Sequence, residues 1–280
     1  MSIRRDLPAL AGLGVIAAVV VVAAFAPALA PSDPVKNRLL DRLTPPMWAQ
    51  GGSARHPLGT DTLGRDVLSR LLHGARISLT VGLAAVLVAG VVGVGLGLVA
   101  GYRGGWADDL LMRLGDIQLA FPVLLLGVAV IAVLGASLTN MILVLGASGW
   151  VTYARIARGE TLSLKERDFV AAARALGAPA SHVVARHLLP NVLPSLMVVT
   201  TFSVARTIIA EASLSFLGLG LPPPAPSWGA MLDEGRNYIT TGWWLALFPG
   251  LAILLLVLAI NLCGDWLRDA LDPRMERGIG

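Results

Sequence analysis

Two charged residues inside an apolar stretch are the first candidates for chemistry. Arg206 and Glu211 both lie between Val192 and Leu217, a run long enough to cross a bilayer. A charge at membrane depth is costly and normally faces a protein interior or a water-filled path. Because a separation of five residues corresponds to about 140° around a helix, the two side chains need not pair with each other. We expect each to meet a neighbouring helix or to line a translocation path, and structural pairing is the leading interpretation.

A serine flanked by glycines is the second candidate. Gly146, Ser148 and Gly149 form a Gly-x-Ser-Gly pattern of the kind that intramembrane serine proteases use. Such a serine needs a base within hydrogen-bond reach. Every histidine of the chain lies outside the predicted spans: His56, His73, His182 and His187. The pattern therefore favours close packing of small residues, and we assign no catalytic residue.

The lysines and the acidic residues argue against a bound nucleotide or metal. A phosphate-binding loop ends in Gly-Lys-Ser/Thr, whereas the only lysines, Lys36 and Lys165, precede Asn and Glu. Asp and His residues do cluster between His56 and Asp66, but neither calcium-loop nor zinc spacing fits them. We predict a structured turn there, built on Asp61 and Gly64, with local pairing of Arg65 and Asp66.

The composition is that of an integral membrane protein. Hydrophobic residues make up 55% of the 280 residues, charged residues only 14%, and the mean hydropathy is +0.73. A soluble domain carries about a quarter charged residues. The net charge of +4 would suit a nucleic-acid partner, but the basic residues lie in short loops, as membrane topology requires. We expect membrane lipid around the chain and no nucleic acid.

Polar interruptions divide the apolar sequence into helices. The run after Arg5 resembles a signal peptide, with Ala28-Leu29-Ala30 as its cleavage site, but it is too long for that and approaches the roughly 20 residues of a span. Pro122 predicts a kink in the third span. The six predicted spans are residues 9–30, 77–100, 117–134, 141–153, 192–217 and 243–263.

The order of the spans defines the predicted organisation. Both termini and the segment between spans four and five fall on one side, and the distribution of Lys and Arg places that side in the cytoplasm. We divide the chain into a tail, first span and outer loop at 1–75, a core of five spans at 76–273, and a tail at 274–280. Gly93, Gly97 and Gly101 share one face of the second span and predict close helix packing there.

The polar segment Lys165–Pro190, called the central loop below, is the best-defined break between spans. Residues 168–176 predict a helix that Gly177 ends, and Pro179 can begin a second helix that Pro190 stops. The result is two short helices joined by a fixed elbow. The apolar face of the first helix is predicted to carry Phe169, Ala173 and Leu176.

The spacing within the central loop resembles a known motif. Ala171-Ala172-Ala173, three residues, Gly177, nine residues and then His187-Leu188-Leu189-Pro190 are similar to the EAA loop of ABC importer permeases. Ala171 stands where the family has Glu, and His187 where it has Ile. The glycine, the Leu-Pro pair and both spacings are kept.

Other stretches resemble one subfamily, which imports dipeptides, oligopeptides and nickel. The string from His56 to Asp66 is similar to its GTDxxGRD signature, residues 211–218 with Ser227-Trp228-Gly229 resemble a second signature, and residues 264–273 resemble its closing GDxLRDxLDP. These stretches stand in the family order. The chain thus resembles the second permease subunit, the dipeptide-permease C type.

The resemblance implies a fold, partners and a location. The fold would be an all-α type I ABC importer permease with six transmembrane helices in the bacterial plasma (inner) membrane. The partners would be a second homologous permease chain, one or two ATP-binding subunits that hydrolyse the ATP, and an extracytoplasmic substrate-binding protein. Dipeptides, oligopeptides, nickel chelates and glutathione-like molecules share this permease pattern.

The resemblance also assigns residues. In this family the EAA loop docks in a cleft of the ATPase, which implies an ATPase-coupling role for Asp168, Ala171, Ala172, Ala173, Arg174, Gly177, Arg186, His187, Leu189 and Pro190. Residues of the outer segments are expected to face the binding protein: Asp61, Arg65, Asp66 and Trp228.

The sequence leaves two other classes of protein open. An ion- or proton-coupled secondary carrier would use Arg206 and Glu211 as a relay and would need no ATP. A membrane protease would lose its activity on Ser148→Ala. Neither class explains why the central loop carries helix-ending and helix-starting residues at Gly177, Pro179 and Pro190.

Overall fold

The computed structural model describes residues 3–271, with side chains from residue 7 onward. Its regular structure in that range is helical, with one isolated bridge between Thr60 and Asp66, and it confirms the predicted all-α class. The helices are α1 Ile3–Leu29, α2 Val67–Arg103, α3 Gly105–Leu119, α4 Val123–Leu134, α5 Leu138–Leu164, α6 Asp168–Ala175, α7 Ala180–His182, α8 Leu189–Leu214, α9 Trp228–Gly235 and α10 Trp244–Leu271.

Within the described range, four helices are long and apolar enough to cross a membrane. They are residues 7–29 of α1, all of α2, the helical segment Ala180–Leu219 and α10. The pair α3 and α4 makes a fifth if it is taken as one broken span. The remaining predicted span lies in α5, which has 27 residues but a polar second half. The six predicted spans thus correspond to these four helices, the broken pair and α5.

Helix α2 is the centre of the bundle and packs most extensively against α5. The two backbones approach closely because glycines line the contact. A Cβ on Gly97 would lie 2.8 Å from Ala157 Cβ, and one on Gly101 would lie 2.7 Å from Thr161 Cβ. Gly93 is equally close to Trp150. The packing face predicted from the spacing of these glycines is confirmed.

The third span differs from its prediction. A kinked helix was expected after a polar turn, but that turn is itself helical in α3, and α3 and α4 meet at an angle of 87°. Pro122 explains the corner, because a proline has no N–H for the helix ladder and keeps the preceding residue, Phe121, out of helical geometry. Helix α4 restarts directly after it at Val123.

The outer loop is shorter than predicted, because α2 begins about ten residues early, at Val67. Asp66 caps it, with its Oδ2 accepting a hydrogen bond from Ser69 N at 2.7 Å. The division of the chain after residue 75 therefore falls inside a continuous helix. The predicted tail 274–280 and the end of the motif 264–273 lie outside the described residues.

Candidate functional site

The elbow of the central loop has the geometry that the sequence predicts. Gly177 adopts φ +81°, the left-handed conformation that glycine tolerates best. Its N–H donates to Arg174 O at 2.9 Å, and Ala178 N–H donates to Ala173 O at 3.1 Å. These two bonds form the Schellman motif, which satisfies the last carbonyl groups of α6. The direction in which the chain leaves α6 is therefore determined locally.

The buried face of α6 is not the predicted one. Val170 is fully buried, together with Val183 and Leu188 from the second half of the loop. Phe169 is 42% exposed and Leu176 is 88% exposed. A shift of one position rotates a helical side chain by about 100°, so the periodic pattern identified an apolar stripe but not which edge of it packs inward. Each buried side chain of this size contributes about 1.5–3 kcal/mol, which holds the two halves together.

The second half of the central loop is not a separate short helix. Residues 180–217 run as one continuous helix, so the prediction that Pro190 stops the helix is wrong. A π turn over Val183–Leu188 precedes the proline, and Leu189 N–H donates to Val184 O, five residues back. A proline ring clashes with the carbonyl four residues earlier in a regular α-helix, and the wider turn relieves this clash. The elbow is therefore joined to α8 without a break in the helix.

Two polar contacts of the central loop and one just beyond it add to the buried apolar side chains that attach the loop to the bundle. Lys165 Nζ donates to Gly101 O at 3.3 Å, at the end of α2. The Arg174 guanidinium lies over the Tyr102 ring, 5.0 Å from its centroid. Beyond the loop, Ser195 on α8 donates to Glu160 on α5 at 2.8 Å. The loop is thus held at one end of the bundle and leaves its outer face open.

That outer face carries most of the residues predicted for ATPase coupling. His187, which is half-buried, packs its ring near those of Phe169 and His182, at centroid distances of 6.2 and 5.7 Å. Leu176 lies directly before Gly177 and is exposed. Its position next to the helix cap is the sequence signal that could have marked it as a candidate coupling residue. Half-buried members of the predicted set are Ala173, His187 and Leu189, and exposed ones are Asp168, Ala171, Ala172, Arg174, Gly177, Arg186 and Pro190.

The two charged residues of α8 have different surroundings. Glu211 is fully buried, and its carboxylate accepts hydrogen bonds from Ser78 Oγ at 3.1 Å and from Ser215 Oγ at 2.8 Å. It therefore links α8 to α2 through hydroxyl groups rather than through a cation. Arg206 is exposed and forms no ion pair with an acidic side chain of the described residues. The two do not pair with each other, and this separation argues against a relay between them.

Arg206 opens into a cavity of about 360 Å³ with a mixed apolar and polar lining, called the Arg206 cavity below. It lies between α5 and α8, beside the corner between α3 and α4. A translocation-path role for Arg206 fits this position, whereas Glu211 is not among the lining residues. The polar side chains that line the cavity are Ser148, Thr152, Tyr153, Ser203, Arg206 and Thr207.

Ser148 is held as a packing residue. Its hydroxyl donates to Val144 O at 2.7 Å, one turn earlier in α5. A Cβ on Gly146 would lie 2.8 Å from Val88 Cβ, and one on Gly149 would lie 3.0 Å from Ala89 Cβ. The pattern thus serves the contact between α2 and α5, as the small-residue interpretation predicts.

A network of buried charges lies at the opposite end of the bundle. Arg65 Nε donates to Asp61 Oδ2 at 2.6 Å, and Arg65 Nη2 donates to Glu234 Oε2 at 2.9 Å. Arg70 also bonds both carboxylates, reaching Glu234 Oε1 at 2.8 Å. The network joins the outer segment, α2 and α9. The predicted turn at Asp61 is confirmed, because its Oδ1 accepts hydrogen bonds from Leu63 N and Arg65 N and Gly64 adopts φ +71°.

The structure at this end differs from the sequence-based expectations in two respects. Arg65 does not pair with Asp66, which instead contacts His56 Nδ1 at 2.9 Å and caps α2. The residues expected to face a binding protein are also not on the surface. They are buried, and their burial is tolerated because their polar groups find hydrogen-bond partners within the chain. For example, Trp228 Nε1 donates to Leu71 O at 2.9 Å. Asp61, Arg65, Asp66 and Trp228 are all 5% exposed or less.

The fold and the central loop together define the class. A helical membrane bundle with an ordered loop open at one end, and with an arginine in a partly polar cavity, is the arrangement expected of a transport permease subunit. The family model described as binding-protein-dependent transport system inner membrane component matches residues 93–277, and the N-terminal TM domain of oligopeptide transport permease C matches residues 2–46. The chain belongs to the family of binding-protein-dependent transport system inner membrane components.

Individual relatives agree with this assignment. The di/tripeptide transport system permease protein of Pseudomonas aeruginosa is 47% identical, with 98% of this chain and 91% of the relative covered. The glutathione transport system permease protein of Pectobacterium atrosepticum is 43% identical, covering 98% and 89%. A solved inward-facing structure of the MetNI methionine ABC transporter matches with a TM-score of 0.58 at 20% identity, covering 73% of this chain and 97% of that one. The predicted permease fold is confirmed.

Proposed function

We propose that this chain forms, with a second homologous permease chain, the membrane path of an ATP-driven importer for dipeptides, oligopeptides or related molecules such as glutathione or a nickel chelate. The observation that carries the proposal is the construction of the central loop. Its elbow is held by a left-handed glycine and a Schellman motif, and its second half continues into α8 without a break. A rigid loop of this kind transmits a movement that a disordered one would absorb.

The proposal assigns the energy source to other chains. This subunit is not an enzyme and binds no cofactor, and one or two ATP-binding subunits hydrolyse the ATP. The family supports a location in the bacterial inner membrane, and an even number of spans supports placing both termini and the central loop on one side, which we assign to the cytoplasm. Leu176 supplies the apolar anchor for the ATPase cleft, because a leucine that is 88% exposed beside a rigid cap is positioned to insert into one.

The outer segment is proposed to receive the substrate-binding protein through side chains other than the four predicted. Leu39, Leu40, Met47 and Trp48 are exposed there, Leu40 completely, and exposed apolar patches mark interaction sites. We expect Leu40→Glu to weaken the stimulation of ATPase activity by the loaded binding protein and to leave basal ATPase activity unchanged. Stimulation equal to that of the parent complex would remove this surface from the proposal.

The central test of the proposal is Gly177→Asp in the complete transporter. A Cβ at Gly177 meets nothing within 4 Å in this chain, and Asp tolerates the left-handed conformation better than most residues. The variant is therefore expected to insert and fold while its side chain obstructs docking. We expect uptake to be lost and ATPase activity to become independent of the loaded binding protein, measured in proteoliposomes.

The matched control is Gly218→Asp. Gly218 has φ +79° and ψ 10°, a left-handed conformation like that of Gly177, and the same open space around its Cβ, but it follows α8 at the other end of the bundle, near Arg65 and Arg70. Normal uptake with Gly218→Asp and none with Gly177→Asp supports coupling through the elbow. Normal uptake with Gly177→Asp refutes it, and equal losses in the two variants would assign the effect to backbone strain.

A further inference from the structure

Arg206 lacks the counter-charge that the two arginines of the neighbouring helix α5 have. Arg155 pairs with Asp116 and Arg158 with Asp108 inside this chain. Arg206 is exposed in the middle of an apolar helix and has no acidic neighbour among the described residues. An arginine at this depth is too costly to face lipid, so it faces a water-filled path or another molecule. No carboxylate of the described residues pairs with it, which leaves the guanidinium available to an anion that enters the cavity.

A second feature of the Arg206 cavity also favours an anion. Val123, the first residue of α4, lines the cavity. Pro122 precedes it and provides no side-chain hydrogen bond to the free N–H groups of the first turn. The start of an uncapped helix carries a partial positive charge. Broken helices within membrane proteins line cavities of this kind, and their half-helix N-termini bind anionic groups of substrates.

The hydroxyl groups of the cavity complement that positive region. Ser148 donates its hydrogen to Val144 O, and Thr207 donates its hydrogen to Ser203 O at 2.8 Å. Because both hydrogens are engaged by the backbone, each oxygen is left with lone pairs that accept hydrogen bonds. Such acceptors suit the N–H and ammonium groups of a peptide. The cavity thus combines positively charged groups with oxygen atoms that accept hydrogen bonds.

We infer that the Arg206 cavity binds a peptide-like solute during passage, with the guanidinium on a carboxylate of the solute and the Ser148 and Thr207 oxygens near its N–H groups. The planar guanidinium bonds a carboxylate with two parallel N–H donors. The inference rests on the proposed transport function and adds a recognition step within the permease. A carboxylate from the second permease chain is the competing source of the counter-charge.

The test uses the complete complex without nucleotide or binding protein, so it does not depend on coupling through the central loop. A cysteine is placed in the cavity by Ser203→Cys, in a background with Cys263→Ser and with the other cysteines of the complex removed. The rate of its modification by a thiol reagent is measured against the concentration of dialanine or of dialanine C-terminal amide. We expect dialanine to protect the cysteine, and the amide to need an at least about tenfold higher concentration.

Arg206 is then changed in that background. With Arg206→Gln, dialanine is expected to protect no better than its amide, and with Arg206→Lys the preference for the free carboxylate is expected to return in part. Equal protection by the two compounds in the parent, or an unchanged preference in Arg206→Gln, overturns the inference. Loss of the second permease chain on purification of Arg206→Gln but not of Arg206→Lys also overturns it, since the counter-charge then comes from that chain. Because Gly177→Asp is scored by uptake, the two hypotheses fail separately.

Discussion

The charged residues at the two ends of the bundle have opposite surroundings. At the end opposite the central loop, Asp61, Arg65 and Arg70 are buried and bonded to one another and to Glu234. In the central loop, Asp168 and Arg186 are exposed and have no ion-pair partner among the described residues. The first arrangement joins segments of this chain to one another. The second leaves charge and apolar surface exposed, as the proposed docking of the ATPase requires.

The difference predicts where substitutions change stability and where they change coupling. Breaking a buried ion pair by removing one partner leaves an uncompensated charge and costs about 3–5 kcal/mol, whereas exposed groups contribute little. The network end should therefore respond to substitutions through the free energy of unfolding. The exposed face of the central loop should respond through its binding to the ATPase.

The largest effect on stability is expected from Arg70→Ala, which leaves Asp61 and Glu234 with one cation fewer. The free energy of unfolding should fall by about 3–5 kcal/mol, measured by chemical denaturation in detergent. The control is Arg236→Ala, which removes a half-exposed pair with Asp233 and should cost less than about 1 kcal/mol. Similar losses in the two variants would show that the buried network does not stabilise the outer end.

An intermediate effect is expected from Val170→Ala, because Val170 is the buried residue of α6. The lost apolar contact should cost about 1–2 kcal/mol locally and should speed the hydrogen exchange of the amides of residues 168–178. Phe169→Ala removes a larger side chain from the neighbouring exposed position and should change exchange less. If Phe169→Ala has the larger effect, the face first predicted from the sequence is the one that packs.

The smallest effect on stability, within about 0.5 kcal/mol, is expected from Leu176→Ala, since Leu176 is almost wholly exposed. The affinity of the Leu176→Ala permease for the ATPase subunits should nevertheless fall about tenfold, because a few apolar anchor residues carry much of the binding energy of an interface. This affinity is measured by titrating the ATPase subunits onto the permease pair in nanodiscs. Leu134→Ala, at a 63% exposed leucine of the other end, should leave this affinity unchanged. An unchanged affinity for Leu176→Ala would contradict the proposed anchor.

Local features were predictable wherever the physics involved neighbours in the sequence. The cap at Gly177 needs a residue tolerant of the left-handed conformation and bonds within six residues, so spacing alone identified it. The glycine face of α2 was predicted from the helical period in the same way. The position of the bend at Pro122 was predicted correctly, but its angle was underestimated. A proline indicates where a helix breaks and does not specify the angle between the two parts. Pro190 was misjudged because a π turn that accommodates a proline leaves no simple mark in the sequence.

The sequence by itself determined the membrane class, the order of the helices, the elbow and the family, because each depends on composition or on spacing along one segment. Only the tertiary structure decided which polar residues are satisfied inside the chain. Arg65 bonds Glu234 across 169 positions, and Glu211 accepts a bond from Ser78 across 133, distances over which spacing carries no information. Arg206 and Glu211 look alike in the sequence, and the helices packed around each make Glu211 a buried link and leave Arg206 exposed in a cavity.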